Sequence, residues 1–187
     1  MTIENFLVHP ETGSNPRTDV DVLATRFEHR RENIESPMAD DPRVAECQTF
    51  ANIIIAEIKT SQCRLNGPWT DRGAGNMERV LRSIGCASED EVAPAARSLY
   101  EEGKWSNGTA TVRLFAMGER TNDSLVTGLE QQIEWTSVID FCVRRFNDYR
   151  QQKASNRQWT PDGVQLRNCA LEHDEGSIRR YFGLRTS

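Results

Sequence analysis

Lysine is almost absent from this chain: of its 23 basic residues only Lys59, Lys104 and Lys153 are lysines, leaving 20 arginines. Arginine suits bidentate phosphate contacts, yet a bias of this kind more often follows genome composition. Its use here is that it makes each lysine informative. Paired cysteines are lacking too. Cys47, Cys63, Cys86, Cys142 and Cys169 stand singly with no CxxC spacing, which argues against a zinc cluster or a disulfide framework and for buried thiols in a reducing compartment. His9, His29 and His173 show no metal-ligand spacing. No apolar run reaches the length of a membrane span, and the opening residues MTIENFLVHPE lack a basic stretch followed by an apolar one. A cytoplasmic protein with no membrane partner is therefore the expectation. Positive charge is not in excess either. The net charge of −5 argues against broad coating of nucleic acid, while leaving room for a local basic face.

What is present is a globular composition, 37% hydrophobic and 27% charged, in 187 residues, a length that one compact domain uses. No internal repeat, low-complexity tract or linker interrupts it. Phe6 to His9 reads as a short strand, followed by a polar turn over 10–17. Asp19 to Phe27 has the β-branched character of a strand. From Glu28 to Gln48 the chain is charged and holds two prolines, which reads as an inserted loop with at most one helical turn. Ile53-Ile54-Ile55-Ala56, ending in Glu57-Ile58-Lys59, has the profile of a buried central strand. The spacing then predicts a helix over Asn76 to Ile84, capped by Asn76, and another over Glu89 to Glu102 with acids at its positive end. Thr109 to Met117 reads as a strand closed by Gly118. The longest helix is expected from about Ser124 to Gln152, then a turn at Pro161-Asp162-Gly163, a short strand and a helix near Glu175 to Phe182. Strands followed by helices and a further strand indicate an α/β (α+β mixed) class, a mixed central sheet flanked by helices.

Two acidic signals fall on these strands. Asp21 lies within Val20-Asp21-Val22-Leu23-Ala24, and Glu57 precedes Lys59 by two residues. Positions i and i+2 of a strand share a face, so Glu57 and Lys59 would point into one cleft, and Asp21 could join them from a neighbouring strand. Two carboxylates suit a hard divalent cation whose other ligands are water and phosphate. Such a cation polarises a phosphoryl oxygen and acidifies bound water, and a lysine can stabilise the charge that develops.

Asp-Val-Leu-Ala followed downstream by Ile-Ile-Ile-Ala-Glu-Ile-Lys-Thr resembles motifs II and III of the PD-(D/E)XK nuclease superfamily, the restriction-endonuclease-like group. The resemblance implies a core of a helix, a three-stranded meander, a helix and a further strand. It implies that Asp21 and Glu57 bind Mg²⁺ (or Mn²⁺), that the Ile58 carbonyl is a further ligand, and that Lys59 is catalytic. The substrate it implies is DNA, with RNA left open, cut by metal-dependent hydrolysis in maintenance or defence. Glu102-Gly103-Lys104 repeats the spacing but ends a polar helix and lacks the apolar strand. Members of the superfamily often carry a glutamate on a helix before the first strand, and only five residues precede Phe6. Glu4 or Glu11, or a partner subunit such as a second copy in a homodimer, is the expected substitute. The sheet face that helix would cover then falls to the long helix from about Ser124 or to that partner. Asp19 could add a carboxylate, and Gln62 and Arg64, just past the motif, could reach phosphate. The alternative reading is a catalytically degenerate module of the same fold that binds nucleic acid without cutting it.

Overall fold

In the computed structural model, residues 1–8, 18–31, 33–45, 49–125, 128, 131–154, 160–172, 178, 180, 181 and 183 are described. The chain divides into two compact units, one of residues 1–31 and 40–133, the other of residues 32–39 and 134–187. The fold is mixed α/β, built on a six-stranded mixed sheet.

In the first unit, β1 (Thr2–Val8), β2 (Thr18–Phe27) and β3 (Ala51–Ile58) form an antiparallel meander. A one-turn helix, α1 (Pro42–Ala45), lies in the charged connection between β2 and β3. After β3 come two short 3₁₀ turns, Gly67–Trp69 and Arg72–Ala74, then α2 (Asn76–Ile84) and α3 (Glu89–Glu102). The chain returns through β4 (Lys104–Ser106) to β5 (Ala110–Gly118), which pairs parallel to β3 and antiparallel to β4, and β6 (Gln132–Glu134) also pairs with β5. The strand order is β1-β2-β3-β5-β4. Parallel neighbours need a long crossover, and two helices supply it here.

The isoleucine run forms a strand because β-branched side chains pack well on a pleated, buried surface. Ile53 and Ile55 join Met77, Val80 and Leu81 of α2 and Val92, Ala96 and Leu99 of α3 in one core. Each large side chain so buried contributes about 1.5–3 kcal/mol. β5 is buried along almost its whole length, as a strand covered on both faces must be. Its one buried charge, Arg113, donates to the Val44 carbonyl at 2.8 Å and to the Arg43 carbonyl, with Asn52 Oδ1 at 3.3 Å. Those carbonyls belong to the last turn of α1, where a cation is favoured.

In the second unit, α4 (Trp135–Asp148) and α5 (Pro161–Leu171) bury Ile139, Phe146, Cys169 and Ala170 between them, together with Ile178. The helix expected from Ser124 begins eleven residues later, at Trp135. Before it, the side-chain amide of Gln132 donates to the carbonyls of Asn122 and Gly128. Ile133 then extends as strand. Pro161 opens α5 rather than a turn before a strand, because Thr160 caps the helix by accepting from the Gly163 N–H and proline fits a first helical position. Asn76 is the first residue of α2 and not its cap, a place taken by Gly75 in the left-handed region. The expected polar turn over 10–17 and most of the helix expected near Glu175 to Phe182 lie outside the described residues.

Candidate functional site

The meander sets Asp21 beside Glu57. The β2–β3 ladder runs from Phe27↔Ala51 to Val22↔Ala56, so the next step outward brings Asp21 level with Glu57. There the ladder is replaced by a side chain: Asp21 Oδ2 accepts the backbone N–H of Ile58 at 2.7 Å. The carboxylate thus sits against the peptide between Glu57 and Lys59.

A backbone irregularity accompanies this arrangement. The β1–β2 register reads Glu4↔Val22 and Phe6↔Val20, stepping over Asn5 and Asp21. Asn5 has φ of 51°, the one positive φ among the described non-glycine residues. In β2, Thr18 and Val20 are buried before it and Leu23 after it. The register is the same on both sides, so the irregularity is a local gap in the ladder with no inserted residue. Such irregularities re-aim side chains near functional positions.

Glu57 is enclosed. It is 3% exposed, and Lys59 Nζ and Asn66 Nδ2 both donate to its Oε1, while Trp69 Nε1 donates to its Oε2 at 2.7 Å. Burying a carboxylate without such partners would be costly. Trp69 is itself 2% exposed and ends the first 3₁₀ turn, which Pro68 helps to start. Asn66 and Trp69 belong to no motif that the sequence marks, and both donors are missed by it. The available signal was a tryptophan, which needs an acceptor when buried, twelve residues beyond an acid at a strand end. Lys59 continues past the strand, its N–H bonded to the Met117 carbonyl at 2.9 Å.

The residues beyond the motif are tied down by β5. Cys63 N–H donates to the Arg120 carbonyl at 2.8 Å, and Gln62 bridges to Arg120. Gly118 is required there, because a Cβ would lie 2.6 Å from the Ser61 carbonyl oxygen and 2.7 Å from the Cys63 nitrogen. Gln62 spends its side-chain amide on the Thr121 carbonyl at 3.1 Å. Arg64 is exposed and has no ion pair among the described residues. Asp19 is exposed and opposite Leu7. Glu4 is exposed on β1. Glu11 and His9 lie outside the described residues.

Among the described residues no three His, Cys, Asp or Glu side chains gather as a ligand set. Zinc takes three or four protein ligands. Mg²⁺ differs in kind, since it keeps several waters and takes one or two carboxylates. Asp21 and Glu57 match that donor type, and Asp21 Oδ1 has no hydrogen-bond partner among the described residues. Asp21, Glu57 and Lys59 together leave a formal charge of −1, which a cation would complement. No family model, curated protein or solved structure matches this chain.

Proposed function

We propose that this protein is a Mg²⁺- or Mn²⁺-dependent nuclease of the PD-(D/E)XK type, hydrolysing phosphodiester bonds in DNA. The observation that carries the reading is the clasp of the Asp21 carboxylate on the Ile58 N–H, which joins the two acidic strands at the Glu57–Lys59 step. The meander, the helical crossover and the parallel β5 follow the order that the resemblance implies and support it further.

In this reading Asp21 and Glu57, with the Ile58 carbonyl, would hold the cation, which when bound would supply Lewis acidity and a more acidic water. Trp69 fixes the Glu57 carboxylate through Oε2 and so leaves Oε1 as the oxygen that exchanges partners. Lys59, already on Oε1, shifts its donated hydrogen bond toward charge developing on the phosphate. Arg64, exposed one turn further on, contacts the backbone. DNA is the partner proposed, the free thiols of Cys63, Cys86, Cys142 and Cys169 support a cytoplasmic setting, and a homodimer is supported by the outer strand β1, where Ile3 and Leu7 are exposed. Among the described residues no helix is long and apolar enough to cross a membrane.

The enclosure of Glu57 favours a second reading, in which the carboxylate is an internal strut and the fold binds nucleic acid without cutting it. Cleavage of supercoiled, linear and branched DNA with and without Mg²⁺, alongside calorimetric metal titration, separates the two. Metal-dependent nicking lost in Asp21→Asn supports the enzyme, and no cleavage with no metal heat defeats it.

A further inference from the structure

The opposite end of β3 presents a different chemistry. Phe27 closes β2 and Phe50 precedes β3, and their rings lie 5.3 Å apart, tilted by 52°. Both are exposed, Phe27 by 49% and Phe50 by 61%. Burial does not explain two adjacent phenylalanines left in water, and their backbones are held firmly. The Glu28 N–H donates to the Phe50 carbonyl at 3.1 Å, the Arg30 N–H to the Phe27 carbonyl at 3.1 Å, and Arg26 Nη1 to the same carbonyl at 3.3 Å. Neighbouring Thr49 is buried and bonded to Thr111 through its hydroxyl at 2.9 Å.

The surrounding charge is mainly basic. Arg26 precedes Phe27 and His29, Arg30 and Arg31 follow it, against Glu28 and Asp40. Asp40 is occupied by Arg26 at 2.7 Å and Arg30 at 3.6 Å, and Glu28 approaches His29 at 3.7 Å. Arg30 remains 45% exposed, and Arg31 is exposed with no ion pair among the described residues.

We propose that Phe27 and Phe50 form a stacking platform for unpaired bases of single-stranded nucleic acid, with Arg30 and Arg31 reaching the adjacent phosphates. Aromatic faces accept any base, and nearby cations track the backbone. Two phenyl rings match what a base needs, whereas a stable chain-to-chain contact needs about 800 Å² on each side. Glu57 lies seven residue steps along the chain from Phe50, about 23 Å at ~3.3 Å per step. The surface is therefore separate from the candidate nuclease site, and its test does not depend on that site.

The test is fluorescence anisotropy of a labelled oligothymidylate of about 12 nucleotides, inside the usual site-size range, with the full chain in EDTA so that cleavage does not enter. The single strand should bind more tightly than a duplex of equal length. Phe50→Ala should weaken it roughly 5- to 150-fold, and Phe50→Trp should retain it. Phe27→Leu, which keeps the bulk and removes the π face, should weaken it as well, and circular dichroism should show all variants folded. Arg31→Gln should reduce the salt slope by about 0.7. Wild-type affinity in Phe50→Ala and Phe27→Leu overturns the platform. So does equal binding of duplex, or conversion of a dimer to a monomer by Phe50→Ala in light scattering, which would make the rings a contact between copies.

Discussion

The chain spells Glu-x-Lys twice, and the two copies behave as different objects. Glu57-Ile58-Lys59 ends a buried strand, its acid and base are ion-paired, and a tryptophan and an asparagine complete the enclosure. Glu102-Gly103-Lys104 ends α3, where Gly103 takes φ of 67° to cap the helix and sends Lys104 into β4. Glu102 and Lys104 are exposed and make no ion pair with each other. The middle residue shows why. Ile58 continues an extended backbone in which flanking side chains share a face, whereas a left-handed glycine turns the chain between them. A three-letter motif thus has chemical meaning only with the backbone that carries it.

Substitutions at matching positions test this contrast most sharply. Glu57→Ala should abolish metal-dependent cleavage and lower stability by about 3–5 kcal/mol, because it leaves a buried ion pair broken, while Glu102→Ala should leave both near wild type. Glu57→Gln separates the effects, since it retains an acceptor for Trp69 but removes the anion. Rates together with urea unfolding decide, and normal turnover in Glu57→Gln would remove Glu57 from the mechanism. Next, Lys59→Ala should slow single-turnover cleavage roughly 10²–10³-fold with metal affinity retained, and Lys104→Ala should not slow it.

Smaller effects probe the supports. Trp69→Phe keeps the ring and deletes the donor to Glu57, which should cost about 1.5–3 kcal/mol, the range for a hydrogen bond to a charged group, read from the urea midpoint. Gly103→Ala should destabilise the other triplet by about 1–2 kcal/mol through its left-handed backbone, since its Cβ would also meet Gln131 Oε1 at 2.1 Å, and should leave cleavage unchanged. The smallest effect belongs to the start of α3. There the Ser88 N–H, then its hydroxyl, then Asn107, hold the Glu91 carboxyl below its ordinary value of 4.5. A lowered folded value means stability that is complete above the unfolded value and lost as pH falls through the folded one. Glu91→Gln should therefore flatten the acid limb of a pH–stability curve below about that value and change little at neutral pH.

Much of this arrangement is legible in the residues alone, for identifiable reasons. The isoleucine run, the helix faces of α2 and α3 and the strand before Gly118 each repeat a period strongly enough to locate themselves. The pairing of β2 with β3, which brings Asp21 level with Glu57, is implied by the resemblance and not by the residues alone. Other features have no local signature. β4 and β6 are three residues each and exist because β5 offers them a partner. The positive φ of Asn5, across the ladder from Asp21, has no signature in the residues of either strand. The donors on Glu57 come from a turn whose place against the strand is set by tertiary packing.

The clasp of Asp21 on Ile58 also provides an observable. An amide proton held by a side-chain carboxylate, rather than by a ladder carbonyl, has a protection that depends on that carboxylate as well as on local opening of the strand. The Ile58 amide thus tests whether Asp21 changes partners when metal is added. Its protection in a hydrogen–deuterium exchange experiment should fall in Asp21→Asn and change on metal addition, while Lys59, whose N–H is held by the Met117 carbonyl, should keep its protection throughout. Two consecutive amides, one tied to a side chain and one to the backbone, form an internal ratio that tracks the site without any substrate.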